Sequence, residues 1–209
     1  LHIYSPYLVS SLRLPDFICT ARGEKSKLLF ESDLKFLQRN PNAIVVISHS
    51  WIGQIYLNKV YNSLTQNYES LDANSKGWKV VAKKIEKFHR LIGQNRKIVI
   101  IGETPYFRSG KINYVETLLR PKYLKNITPK AMLTFKNNTQ DFNSFFETYF
   151  KSNKKITFIN PAGALCNDNI CFKQLDQKIY FSDSNHLTKE GSYKVIEYIE
   201  PQLLEVLNN

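Results

Sequence analysis

The sequence predicts an α/β protein, a three-layer α/β/α sandwich on a mostly parallel central sheet. Two patterns and the chain length point there. Continuous apolar runs at residues 43–47, 97–101 and 155–159 read as strands buried on both faces of a parallel sheet. Between them lie stretches whose apolar residues recur at helical spacing. At 209 residues the chain holds one sizeable core, so residues 1–209 read as a single domain. No internal repeat or low-complexity segment interrupts it.

Taken in order, Phe17-Ile18-Cys19 reads as a short fourth strand and residues 28–38 as a helix. Residues 43–47 form the first long apolar strand. Trp78, Val81, Ile85, Phe88 and Ile92 follow at steps of 3, 4, 3 and 4, one apolar stripe on a helix; His89 lies on its flank and reads as solvated. After the strand at 97–101, residues of about 106–140 lose periodicity and carry Pro121 and Pro129. That length marks an insertion or lid rather than a simple connection. Phe142, Phe145, Phe146, Tyr149 and Phe150 then form a second stripe behind a helix start at Asp141. A last helix begins near Lys189, with Ile196, Ile199, Leu203 and Leu207 turned inward and Pro201 kinking it or ending its first half.

Composition narrows the class. An apolar fraction of 43% with 13% aromatics excludes a disordered chain. No stretch approaches the ~20 apolar residues of a membrane span. The 29 Lys+Arg against 18 Asp+Glu give +11, which attracts polyanions; the lysines are scattered, as on a solvated basic surface. Three cysteines are too few for a disulfide-built scaffold. Cys166 and Cys171 flank a turn-rich tetrapeptide, and two readings stand: a bridge closing a small loop in an oxidising compartment, or two inert thiols. No local spacing supplies the further ligands that zinc needs. Cys19 is left without a sequence-local mate.

Ligands of parallel α/β sheets bind beyond the carboxyl ends of the strands. That rule gathers residues 48–53, residues 102–106 and the loop holding Asp183 and His186. A carboxylate three residues before a histidine orients one imidazole nitrogen and leaves the other facing the site, the arrangement of a general base. The duller reading makes Asp183 a cap at the approach to the last helix and His186 a hydrogen-bonding residue. His49 reads equally as a substrate contact or a structural strand-end residue. Trp51 is a core or rim aromatic, an oxyanion donor or a sugar-stacking ring. His2, Ser5, Ser10 and Ser11 read as incidental.

The stretch Tyr180-Phe181-Ser182-Asp183-Ser184-Asn185-His186-Leu187-Thr188, with Gly191 beyond, resembles the last block of the SGNH (GDSL-like) hydrolase family. The match is closer to the SGNH domain fused behind the membrane acyltransferase-3 domain of bacterial surface-polysaccharide O-acyltransferases. That branch pairs two nearby cysteines (here Cys166 and Cys171) with an aromatic-rich strand and then D-x-x-H-L-[ST]-x-x-G. Ile44 to Trp51 and Ile98 to Pro105 look like two of its strand ends, so the resemblance spans roughly residues 17 to 207.

The resemblance implies a Ser-His-Asp triad with Asp183 and His186 as two members and no metal or organic cofactor. It implies a glycan acceptor, an acyl donor (acetyl first), a tether to a membrane acyltransferase domain, and no nucleic-acid partner. It places the domain on the periplasmic or extracytoplasmic side of a bacterial inner membrane. The family's nucleophile sits in G-D-S, a motif not found in these residues. Residues 1–8 look like the helix that follows it, so that register puts the serine and the first strand before Leu1. Where the family usually has an oxyanion asparagine, His49, Ser50 and Trp51 stand instead and are the candidate oxyanion or substrate contacts. Two other outcomes fit the same fold: a stand-alone carbohydrate O-acetyl esterase and a catalytically inactive glycan-binding module.

Overall fold

The computed structural model describes residues 14–19, 24–107, 134–167, 169–175 and 178–208. The expected insertion at about 106–140 falls largely outside them, as do His2, Ser5, Ser10, Ser11 and the side chain of Cys19. The chain divides into two compact units, residues 1–100 with 148–157, and residues 101–147 with 158–209.

The first unit carries β1 (Phe17–Cys19), α1 (Glu24–Arg39), β2 (Val45–Ser48), α2 (Trp51–Leu57), β3 (Asn58–Asn62), β4 (Asn67–Ser70) and α3 (Ser75–Ile92). It also holds most of β5 (Ile98–Ile101) and, beyond β6 (Thr134–Lys136), the start of β7 (Ile156–Ile159). Strand order β2-β5-β7 makes the expected sheet. It is parallel: Val45 N–H donates to Lys97 O and Ile98 N–H to Lys155 O at the strand starts, while Gly102 N–H donates to Ile159 O at their ends. Central β5 is buried at all four positions. In β2 burial alternates and Val46 is exposed, so the expectation of two buried faces is corrected there. The reason is position, since β2 stands at one end of the described strand order.

Phe17–Cys19 is a strand, but not a fourth member of that sheet. It pairs antiparallel with β3, which pairs antiparallel with β4, giving a separate sheet. The α3 stripe behaves as its spacing predicts: Val81, Ile85, Phe88 and Ile92 are buried. Asn74 caps its start, its side-chain oxygen accepting from Lys76 N–H and Gly77 N–H.

His89 is also buried, contrary to its sequence reading, and its Nε2 lies 2.8 Å from Arg96 O. Arg96 explains why a histidine is tolerated there. Its guanidinium, itself buried, donates to Leu37 O, Asn40 O, Ala43 O and Ile92 O at 2.7–3.2 Å. One cation thus answers the orphan carbonyls that end α1 and α3. Asp16, in a left-handed conformation (φ 68°), receives Lys84 and Lys87 of α3 at 2.6 and 2.7 Å. Partial burial raises its pKa, but the two ammonium groups outweigh that and hold it below the ordinary value.

The second unit contains β6, the body of α4 (Gln140–Phe150), the end of β7, a 3₁₀ turn at Pro161–Ala164, and β8 (Cys166–Asn167). Further on come β9 (Ile170–Phe172), the small hairpin β10 (Gln174–Leu175) and β11 (Lys178–Ile179), and α5 (Lys189–Asn208). Strands β6, β9 and β8 form an antiparallel sheet in that order. Helix α5 runs through Pro201, which interrupts its hydrogen bonding without ending it. Of its expected inward residues, Ile199 packs against a buried cluster and Leu203 and Leu207 are half-buried, while Ile196 is exposed and Val195 is buried in its place.

Candidate active site

Asp183 and His186 sit in a five-residue loop whose neck is an antiparallel bridge between Phe181 and Leu187. Ser182 clamps the loop from inside, donating to His186 O from its amide at 2.9 Å and its hydroxyl at 3.1 Å. Asp183 closes the other side. Its Oδ1 accepts from Asn185 N–H at 2.9 Å and His186 N–H at 2.8 Å, and its Oδ2 lies 2.7 Å from His186 Nδ1. An ionised carboxylate only accepts, so Nδ1 carries the proton and Nε2 of the neutral ring keeps a free lone pair. Both side chains are open to solvent, His186 at 73% and Asp183 at 52%.

The two backbone N–H groups, then the imidazole, hold the Asp183 carboxyl down to about 2 from its ordinary 3.8. A depressed carboxylate pKa stabilises the fold above its unfolded value, and that contribution is lost as the pH falls through the folded one. The loop is therefore expected to stay clasped at pH 4 and to release toward pH 2. A ¹³C titration of the Asp183 carboxyl should give a midpoint near the lower value; an ordinary midpoint would show that the clasp does not form.

The residues after the histidine explain why the loop stands where it does. Thr188 N–H donates to Tyr180 O at 3.0 Å, and its hydroxyl donates to Ile179 O while accepting Gly191 N–H at 3.1 Å. Thr188 is thus the N-cap of α5 and the seam to the preceding strand. Gly191 lets the helix approach that strand: a Cβ there would lie 2.1 Å from Tyr180 O.

Beneath the loop, Phe181 and Tyr180 share a buried cluster with Phe107, Leu165, Val195 and the two cysteines. Cys166 and Cys171 face each other in the β8–β9 register and are disulfide-bonded, at 2.06 Å, so of the two sequence readings the bridge is the one the structure carries. No group of three or more possible metal ligands occurs among the described residues.

A second polar construction lies where β5 exits. Asn143, buried on α4, accepts Glu103 N–H at 2.9 Å and donates to Glu103 O at 2.9 Å and to Asn160 Oδ1 at 3.0 Å. The Asn143 amide thereby fixes the backbone of the buried Glu103. Sequence reasoning passed over Asn143; the available signal was an amide set between Phe142 and Phe146 on an otherwise aromatic stripe.

His49, Ser50 and Trp51 belong to the first unit. The rings of His49 and Trp51 meet edge-on, with centroids 5.4 Å apart and planes at 81°. Trp51 is 0% exposed, which corrects the notion that its face stacks on a sugar and makes it a core residue. Ser50 precedes α2, exposed, with no side-chain bond to the helix amides. Of the expected site residues, the structure thus joins Asp183 to His186, Cys166 to Cys171, and His49 to Trp51.

Comparison with known proteins adds the family. The profile described as "SGNH domain (fused to AT3 domains)" matches residues 9–201. Among solved structures, the periplasmic domain of a lipopolysaccharide acetyltransferase from Salmonella ser. Paratyphi A is similar at TM-score 0.60 and 18% identity. That match covers 91% of this chain and 69% of the Salmonella one, and supports the α/β/α architecture. A Streptococcus pneumonia protein described as a platelet activating factor aligns at TM-score 0.40 and 11% identity, over 87% of this chain and 99% of its own. The search of curated proteins gave no match. No helix among the described residues is long and apolar enough to cross a membrane.

Proposed function

This chain belongs to the family of SGNH domains fused to AT3 domains, and from that premise we propose that it is an O-acyltransferase module that places an acyl group, acetyl first, on a bacterial surface glycan. The observation that carries the reading is the 2.7 Å contact of Asp183 Oδ2 with His186 Nδ1, with the imidazole open to an incoming reactant. We assign the nucleophile to a serine in a G-D-S segment preceding Leu1, and the domain to the extracytoplasmic side of the membrane, tethered to an acyltransferase-3 domain. The Cys166–Cys171 bridge suits that oxidising side.

In the first half-reaction, Nε2 takes the serine proton as the serine oxygen bonds the acyl carbonyl carbon. The proton then goes to the departing atom of the donor, whose bond to the acyl group breaks. In the second, a glycan hydroxyl gives its proton to Nε2 and attacks the acyl-serine, and the proton returns to the serine oxygen. Asp183 stays ionised throughout, fixing the ring and offsetting the charge of the imidazolium.

The test uses the full-length protein incubated with acyl donor. Peptide mass spectrometry is expected to find the acyl group on the serine of the G-D-S segment, and addition of glycan acceptor to discharge it. Transfer that persists after that serine is changed to Ala would end the proposal. Discharge to water at the same rate with or without acceptor would make the protein an esterase. A parent sequence with no such serine would leave a glycan-binding module.

A further inference from the structure

The loop bearing the acid and base is held by more than its own hydrogen bonds. Phe107, six residues beyond the end of β5, donates its amide hydrogen to Ser184 O at 2.8 Å, between Asp183 and His186. Its ring is buried and meets Phe135 and Phe181 at centroid distances of 5.3 and 5.6 Å. Phe135 and Phe181 meet each other at 5.6 Å, so the three rings close a triangle. The corners come from three places: the β5 exit, strand β6, and the neck of the loop. Lys173 caps the triangle, its Nζ 4.1 Å from the Phe107 ring centre.

From this geometry we infer that Phe107 is a positioning residue for the Asp183–His186 pair, acting through Ser184 O and the Phe135–Phe181 contacts. An exposed five-residue loop has little packing of its own, and neither Asp183 nor His186 is buried. Its orientation therefore depends on what grips the neck and the crown. Phe181 supplies the neck and the Phe107 amide the crown, and the same ring ties them together. Losing the ring loosens the neck and the crown together, so the internal clasp of Ser182 and Asp183 opens more often and Nε2 is misaimed.

The inference rests on the acid–base reading above for its catalytic half only. Hydrogen exchange of the full-length protein, read on peptides spanning 180–188, tests the grip without any turnover. In Phe107→Ala, exchange over 182–186 is expected to rise about tenfold or more while β5 keeps its protection. Phe107→Leu, which fills much of the space without the ring edges, should fall between. In acyl transfer both variants should lose kcat, roughly 10-fold for Leu and more for Ala, with KM within about twofold.

Unchanged exchange over 182–186, or a rise shared equally by β5, overturns the positioning role. So does a loosened loop with undiminished kcat in a protein that His186→Ala inactivates. Full turnover in His186→Ala would instead overturn the acid–base reading and leave the exchange result standing.

Discussion

In a full-length protein carrying its serine, His186→Ala is expected to reduce acyl transfer at least about 10³-fold without unfolding the domain. The size follows from chemistry: an unassisted serine hydroxyl gives up its proton poorly, and no other imidazole stands beside Asp183 in the described loop. The fold should survive because the His186 side chain is mostly solvent-exposed and its one described partner is Asp183. Asp183→Asn should cost less but still roughly 10²–10³-fold. An amide oxygen can still accept backbone N–H groups, but its NH₂ turned to Nδ1 favours the wrong tautomer. Progress curves with acyl donor and glycan, beside far-UV spectra of each variant, check both points. Wild-type rates in His186→Ala would remove the mechanism.

The second large effect is structural. Gly191→Ala is expected to destabilise by about 2–3 kcal/mol, a fall in melting temperature of roughly 5–10 °C for a chain of this size. Helix propensity alone argues the opposite, since Ala is better than Gly in a helix by about 1 kcal/mol. Sterics decide it. The added Cβ would stand 2.1 Å from Tyr180 O, a backbone atom that no rotamer change can move. Relief requires the start of α5 and the backbone at Tyr180, just beyond β11, to separate, and Phe181, which opens the Asp183–His186 loop, follows Tyr180. The variant should lose turnover at temperatures where it is still folded. A melting temperature equal to or above that of the parent would show that the approach is looser than described.

The parts legible in the sequence are those governed by local spacing. The α3 stripe, the three parallel strands and the D-x-x-H loop repeat patterns fixed by helix pitch, strand burial and the reach of one aspartate. What escaped needs partners distant in sequence. The β3–β4 hairpin is rich in Asn, Ser and Thr and carries no apolar alternation, yet β1 adds to it from 41 residues away, Ile18 opposite Lys59. Arg96 looks like one more surface cation until Leu37, Asn40 and Ala43 present their carbonyls to it. His89 is buried by the same meeting. At the site, Asp183 and His186 were readable because the bond joining them spans three residues. Asn143 and Phe107 were not, since they act on Glu103 and Ser184, 40 and 77 positions away.

The segment from Leu165 to Gly191 is stitched by backbone bonds of short reach: Phe172 to Leu165, Tyr180 to Lys173 and Thr188 to Tyr180. Each closes a ring of only seven or eight residues, for which the chain surrenders little entropy. Such low contact order favours early assembly of the segment that carries Asp183 and His186. The long reach from Phe107 is the step that waits for the rest of the fold. The Asp183–His186 clasp is thus nearly self-contained in sequence, and its orientation is the part entrusted to distant residues.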